Sequence, residues 1–195
     1  MRIKNIKFLK SETKPENSYN KPEIAFVGRS NVGKSSLINY LSNTKIAKSS
    51  SSPGRTRLIN YFSVNNDEFI LVDLPGYGFS ASSKEIKSSW GTIIEDYLKN
   101  SKNLACVLVL LDIRRKPNED DLIMLNYLNF YNIPYTIVAT KCDKLSKAEV
   151  GRQKQLIATE TKQGIGNIYL VSTLKRTGEE ELMNRINQFL NKGEE

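Results

Sequence analysis

The 195 residues fit one domain on the usual range of roughly 100–200 residues per domain, enough chain to bury a substantial core but not two. A net charge of +8, from 29 Lys and Arg against 21 Asp and Glu, favours encounter with an anionic partner such as nucleic acid, although a lysine-rich surface also simply keeps a protein in solution. The two cysteines form no CxxC pair, and the longest apolar run, Leu104–Leu111, falls far short of the roughly 18 residues of a spanning helix, so no disulfide framework, zinc site, export signal or membrane span is expected, and a reducing cytoplasm is.

Residues 1–21 are polar and lysine-rich and read as a basic N-terminal arm or an irregular edge segment; residues 22–195 read as a single domain. The apolar run IAFV (24–27) is a short strand ending at Gly28, a glycine-rich turn follows, and SSLINYL (35–41) places Leu37, Ile38 and Leu41 at helical spacing. Ser49–Gly54 has loop chemistry, and LINYFSV (58–64) and EFILVD (68–73) flank Asn65-Asn66-Asp67 as a hairpin. The segment KEIKSSWGTIIEDYLKN (84–100) sets Ile86, Trp90, Ile93, Ile94, Tyr97 and Leu98 on one helical face, with Gly91 against the assignment and Trp90 read as core. LACVLVLLD (104–112) is a buried strand, and NEDDLIMLNYLNFY (118–131) a helix capped by Asn118 with acids in its first turn. PYTIVATK (134–141) is a strand, SKAEVGRQKQLIATETK (146–162) a polar helix, NIYLVS (167–172) a strand and GEEELMNRINQFLNK (178–192) an amphipathic helix. This alternation predicts an α/β fold with a mostly parallel six-stranded sheet and helices on both faces.

Gly28-Arg29-Ser30-Asn31-Val32-Gly33-Lys34-Ser35 matches GxxxxGK[ST] and lies between a predicted strand and helix, the context this phosphate-binding loop requires. Its glycines let backbone N–H groups close around phosphate oxygens, Lys34 reaches the β and γ phosphates, and Ser35 is a magnesium ligand. Asp73-Leu74-Pro75-Gly76 closes the predicted hairpin 39 positions after Lys34 (73 minus 34). A carboxylate there can hold magnesium through water, and the Gly76 amide can approach a γ-phosphate. Thr140-Lys141-Cys142-Asp143 follows the strand residues PYTIVA (134–139). The Asp143 carboxylate can accept hydrogen bonds from guanine N1–H and the 2-amino group, whereas adenine would leave it unpaired, and the Lys141 stem can cover the base. Val171, Ser172 and Thr173 leave the next strand where backbone amides can meet the guanine carbonyl.

GRSNVGKS, PGRT, DLPGYGF, TKCD and VST, in that order, resemble the guanine-nucleotide motifs of small bacterial GTPases. PEIAFVGRSNVGKSSLIN, SSSPGRT, LVDLPGYGF, DIRRKPNEDD and Thr140 in place of the widespread asparagine of NKxD most resemble the EngB family, also called YihA or YsxC, from about residue 22 onward. The resemblance implies the G domain of a P-loop GTPase that binds GTP and GDP with Mg2+. It implies that Gly28–Ser35 hold the phosphates, that Ser35 and Thr56 ligate magnesium together with Asp73, and that Gly54, Arg55, Thr56, Arg57 and Leu58 form the first switch. It further implies that Asp73–Gly76 form the second switch, that Thr140–Asp143 read the base, and that Val171–Thr173 line it. Its implied partners are the precursor of the 50S ribosomal subunit and rRNA, with a consequence for cell division and septation; a cytoplasmic monomer without membrane or DNA partners is expected.

Tyr77 stands where a water-orienting glutamine is expected, so the candidate catalytic residues are Lys34, Thr56 and Asn31. Arg55 or Arg57 can act as an arginine finger in cis or meet nucleic-acid phosphates. Asn31 can help to hold K+ beside the phosphates or simply fit the turn, and a partner can supply the activation. Tyr77 and Phe79 are candidates for stacking or protein contact near the second switch. Two other classes share parts of the pattern: a P-loop metabolic kinase, which has no use for TKCD, and a division-site scaffold that binds GTP without turnover.

Overall fold

The computed structural model describes residues 3–15, 19–47, 58–78 and 84–191, the side chains of residues 84–90 excepted. In chain order its elements are β1 (Ile6–Glu12), β2 (Glu23–Gly28), α1 (Lys34–Ser42), β3 (Ile59–Val64), β4 (Phe69–Asp73), α2 (Lys84–Asn100), β5 (Leu104–Asp112), α3 (Glu119–Phe130), β6 (Tyr135–Thr140), α4 (Lys147–Thr161), β7 (Ile168–Leu170) and α5 (Glu179–Leu190). The strands form one sheet in the order β1-β3-β4-β2-β5-β6-β7. The run from β4 to β7 is parallel, and β3 is antiparallel to both β1 and β4.

Strand β2 is buried along its whole length and feeds two cores, because successive side chains leave a strand on opposite faces. Ile24 and Phe26 pack with Leu37, Ile38 and Leu41 of α1 and Leu182, Met183 and Ile186 of α5. Ala25 and Val27 face Ile94, Tyr97 and Leu98 of α2, Leu125 and Leu128 of α3 and Ile157 of α4. The chain leaves β2 toward β3 and β4 on one side and returns beyond β2 to β5 on the other. The carboxyl ends of β2, β4, β5 and β6 therefore flank a topological switch point, where open α/β sheets bind ligands.

Among the described residues the sheet has seven strands, not the predicted six. The added strand is β1, drawn from the segment read as an arm or edge: Ile6 to Glu12 pair with Val64 to Ile59 of β3, with an irregularity between Phe8 and Lys10. Its burial is sparse, with Ile6 packed in one core, Leu9 against the other and Phe8 laid edge-on against Phe62, and the intervening lysines hide the strand period. The hairpin tip anchors its start: Asn65, Asn66 and Asp67 all adopt positive φ, conformations that Asn and Asp tolerate, and the Lys4 amide donates to Asn65 Oδ1 at 2.7 Å. Strand β7 is three residues long, shorter than the predicted 167–172, because a 3-10 turn takes Asn167 at its start and the chain turns beyond Leu170 so that Ser172 bridges Thr177.

Candidate functional site

Gly28 ends β2 and Lys34 begins α1, so the phosphate-loop motif spans the turn between them. Gly33 adopts φ +115°, a left-handed conformation that a side chain would strain. Asn31 is also left-handed, at φ 63°. Helices α3 and α4 begin with reciprocal capping boxes, Asn118 with Asp121 and Ser146 with Glu149. Helix α1 has no side-chain cap, so its first-turn amides are directed at the loop's concavity, the arrangement that accepts anions.

Lys34 Nζ lies 3.8 Å from Asp73 Oδ1 at the end of β4. Asp73 is buried, and that oxygen has no hydrogen-bond partner among the described residues. Burial pushes its carboxyl pKa up, against the opposing pull of Lys34 and of a hydrogen bond from Asn60. A buried carboxylate oxygen without a hydrogen bond, and the Ser35 hydroxyl at the start of α1, are the hard oxygen donors that magnesium takes. Thr56 lies outside the described residues, as do Gly54, Arg55 and Arg57; Leu58, just ahead of β3, is partly buried.

The segment after Asp73 is strapped to the phosphate loop. Leu74 N donates to Phe26 O, Tyr77 N to Gly28 O at 3.2 Å and Ser30 N to Tyr77 O at 3.0 Å. Pro75 is buried beside them. A Cβ on Gly76 would sit 3.0 Å from Ser30 Oγ and 3.1 Å from Ser30 N, so the DLPG glycine is required by close approach. Tyr77 is not a surface aromatic: its side chain is buried, and its hydroxyl donates to Asp121 Oδ1 at 3.0 Å. The expected stacking role of Tyr77 is thereby corrected, since the ring fills the core between the sheet and α3. Phe79 and the Trp90 side chain lie outside the described residues. Arg29 faces the same helix start, because a Cβ on Gly78 would meet Arg29 Nε at 3.0 Å and Asp120 Oδ2 at 3.2 Å.

At the ends of β6 and β7 lies the segment expected to read the base. Thr140 Oγ1 lies 2.7 Å from Val32 O in the phosphate loop and 3.2 Å from Leu111 O. The hydroxyl that replaces the usual asparagine thus ties the TKCD segment to the phosphate loop. Lys141, left-handed at φ 64°, donates from Nζ to Asn31 O and to Asp112 Oδ2, each at 2.9 Å. The Cys142 thiol donates to Ala139 O, and burial pushes its pKa up. Asp143 Oδ1 accepts from Ser172 Oγ at 2.6 Å, with Lys144 Nζ 3.7 Å from the other oxygen; the Ser172 hydroxyl is the main influence holding the carboxyl below its ordinary range.

The expectation of three base-facing amides is corrected for two of them. Val171 N donates to Ala139 O, and Ser172 exchanges backbone hydrogen bonds with Thr177. Both amides are engaged in closing the sheet end and the following loop. Ser172 instead meets Asp143 through its side chain, and partly buried Thr173 follows it on the loop.

The family described as 50S ribosome-binding GTPase matches residues 23–141. The "Probable GTP-binding protein EngB" of Geobacter sp. (strain M21) is 47% identical over 193 residues, covering 97% of this chain and 90% of that relative. The chain belongs to the EngB family of GTP-binding proteins. A crystal structure of a probable GTP-binding protein engB superposes with a TM-score of 0.72 at 26% identity, over 87% of this chain and 98% of that one. Era in complex with MgGDPNP and nucleotides 1506–1542 of 16S ribosomal RNA superposes with a TM-score of 0.65 at 26% identity, over 87% of this chain and 56% of that one. The fold is therefore that of the P-loop GTPases.

The structure adds partners that motif reading does not name: Asp112 for Lys141, Asp121 for Tyr77, Asn60 for Asp73 and the Ser172 side chain for Asp143. Asp112 carried a signal, a lone carboxylate closing an otherwise apolar strand. The basic surface is also thinner than composition suggests. Arg114 is paired with Asp112, Lys116 with Glu160, and Arg176 lies over the Tyr40 ring. Among the described residues no helix is long and apolar enough to cross a membrane.

Proposed function

We propose that this protein hydrolyses GTP to GDP and phosphate and serves as a nucleotide-dependent switch on the precursor of the 50S ribosomal subunit, with cell division and septation depending on it downstream. The observation that carries the reading is Asp143, an ionised carboxylate oriented by Ser172, on the same sheet edge as the uncapped start of α1. Guanine N1–H and its 2-amino group satisfy that carboxylate, and adenine does not. Lys141 covers the base, the Thr173 amide meets the guanine carbonyl, and the loop from Gly28 to Ser35 takes the phosphates.

In the reaction, water attacks the γ-phosphorus while the bond from that phosphorus to the β,γ-bridging oxygen breaks, and GDP leaves. Lys34 offsets negative charge on the β and γ oxygens. Ser35 and Asp73, joined by Thr56 when the first switch closes, would hold Mg2+, which supplies further charge stabilisation when bound. Tyr77, buried against Asp121, orients no water. Asn31 would help to hold K+, which would offset developing charge beside the phosphates when bound, or the ribosomal partner would supply the remaining activation, and Gly76 reports the γ-phosphate. The family description, the 16S RNA complex of Era and the +8 charge support rRNA as the partner.

The test has two arms. Titration calorimetry with GTP, GDP, ATP and ADP, followed by phosphate release in potassium and in sodium buffers, is expected to show guanine-selective binding and slow turnover that potassium accelerates. Equal turnover in both salts removes the cation role, and binding without turnover leaves a scaffold. Sedimentation with 50S particles across a salt series is expected to show tighter association with a GTP analogue than with GDP. Association that ignores the nucleotide and vanishes with salt reduces the partner claim to nonspecific charge.

A further inference from the structure

We infer that Asp112, the last residue of β5, is a positioning residue for nucleotide binding: it fixes the Lys141 ammonium so that the lysine stem lies ready over the guanine face. The inference rests on the proposal that guanine occupies the end of β6. Its observations are distances. Lys141 Nζ meets Asp112 Oδ2 and Asn31 O, each at 2.9 Å, so the ammonium is clamped between β5 and the phosphate loop. The carboxylate is itself mounted. Arg114 Nε donates to Oδ1 at 2.9 Å, Arg114 NH2 to Oδ2 at 2.7 Å and the Arg114 amide to Oδ1 at 3.1 Å. The Arg115 amide closes the same turn on Asp112 O at 3.0 Å.

The DIRR turn that otherwise reads as part of a basic surface is, in this arrangement, a bracket for one carboxylate. The physical reason for such a bracket lies in lysine itself. Its four-carbon stem is flexible and its ammonium is a point charge without the planar fork of arginine, so a free Lys141 must be ordered each time a base binds. Anchoring Nζ beforehand removes that entropic cost from association. Partial burial pushes the Asp112 carboxyl up, but the hydrogen bonds from Arg114 and Lys141 outweigh it and hold the carboxyl well below the usual carboxylate range. The clamp therefore stays charged wherever the protein is folded at ordinary pH.

The experiment measures GDP and GTP dissociation constants for the wild-type chain, Asp112→Asn, Lys141→Met and the double variant, with thermal unfolding beside each. Lys141→Met keeps an apolar stem and removes the ammonium. Asp112→Asn is expected to weaken GDP and GTP alike by roughly tenfold, the scale of one partly screened charge-assisted hydrogen bond. In the Lys141→Met background the same change is expected to cost less than about twofold, because the contact is already gone. An equal loss in both backgrounds makes Asp112 a merely structural residue and overturns the inference, as does no loss in either. If Asp112→Asn fails to fold, Asp112→Glu, which keeps the charge and displaces it by one methylene, is expected to show the same background dependence at smaller size. Failure of the wild-type chain to bind guanine nucleotides is a separate result that removes the functional proposal itself.

Discussion

Tyr77 and Asp121 share a buried hydrogen bond of 3.0 Å, phenol to carboxylate, between the turn after β4 and the first turn of α3. Asp121 also accepts the Asn118 amide on its other oxygen at 3.0 Å, so one carboxylate caps the helix and moors the turn after β4. The residue that takes the place of a catalytic glutamine is thus a strut. Burial raises the carboxyl pKa of Asp121, the bonds from Asn118 and Tyr77 oppose that rise, and burial with the nearby carboxylate holds the Tyr77 phenol protonated as a donor.

Tyr77→Phe removes the donor and little volume. Unfolding in urea is expected to show a loss of about 1.5–3 kcal/mol, the range for a hydrogen bond to a charged group. GDP affinity and GTP turnover are expected to stay near wild type, because the ring and the strap to Gly28 and Ser30 survive. A turnover defect with unchanged stability would contradict the strut.

Thr140→Val replaces a hydroxyl by a methyl and leaves the buried carbonyls of Val32 and Leu111 without that donor. A destabilisation of about 1–2 kcal/mol is expected, together with weaker binding of GDP and GTP, since the phosphate loop loses its tie to β6. Thr140→Ser, which keeps the hydroxyl, is expected to recover most of both, read by urea unfolding and nucleotide titration.

Asp143→Asn exchanges an acceptor pair for an amide that suits a base carrying a carbonyl at position 2. Competition binding is expected to move preference from guanosine to xanthosine triphosphate by at least about 100-fold, the order reached where a site's polar groups select the base. The wild-type carboxyl is held below its ordinary range, so its contribution is present at neutral pH. That contribution is lost only as pH falls through its depressed folded value. Guanine affinity of the wild type at pH 5 is therefore expected to match that at pH 7.

Glu23, at the opposite end of β2, is fully buried, with Tyr97 and Ser101 donating to Oε2 at 2.6 and 2.8 Å and, among the described residues, no hydrogen-bond partner for Oε1. Burial raises its carboxyl pKa, and the two hydroxyls only partly oppose it. The native state then holds this proton more tightly than the unfolded chain. The resulting stability is present below the ordinary glutamate range and is lost as pH rises through the raised value. Glu23→Gln is expected to match wild type near pH 4 and to exceed it by on the order of 1 kcal/mol at pH 7, because an unpaired neutral amide costs less to bury than a charged oxygen. Denaturant unfolding at the two pH values decides it.

The order of strands and helices from β2 onward was legible because each element depends on neighbours in the chain. Asn118 caps α3 as its position predicts, and the Asn65-Asn66-Asp67 turn follows from residues that accept positive φ. The order of β2, the phosphate loop, β4 and β6 carried the site's place at the carboxyl edge of the sheet. Strand β1 was not legible, because its few core contacts, Ile6 on one core and Leu9 on the other, are separated by lysines and by an irregularity in register that breaks the strand period.

What the sequence determined by itself is the chemical inventory of the site, set by spacing within short segments: a glycine loop, a lysine, a metal-suited carboxylate and a guanine-suited one. What tertiary structure decided is which groups those residues hold. Thr140 reaches a carbonyl 108 positions away, Tyr77 a carboxylate 44 away, and Asp143 and Lys141 take Ser172 and Asp112, each 29 away. Such pairings arise only when parallel strands, joined through long crossovers, bring their carboxyl ends to one edge, and a local pattern carries no record of them.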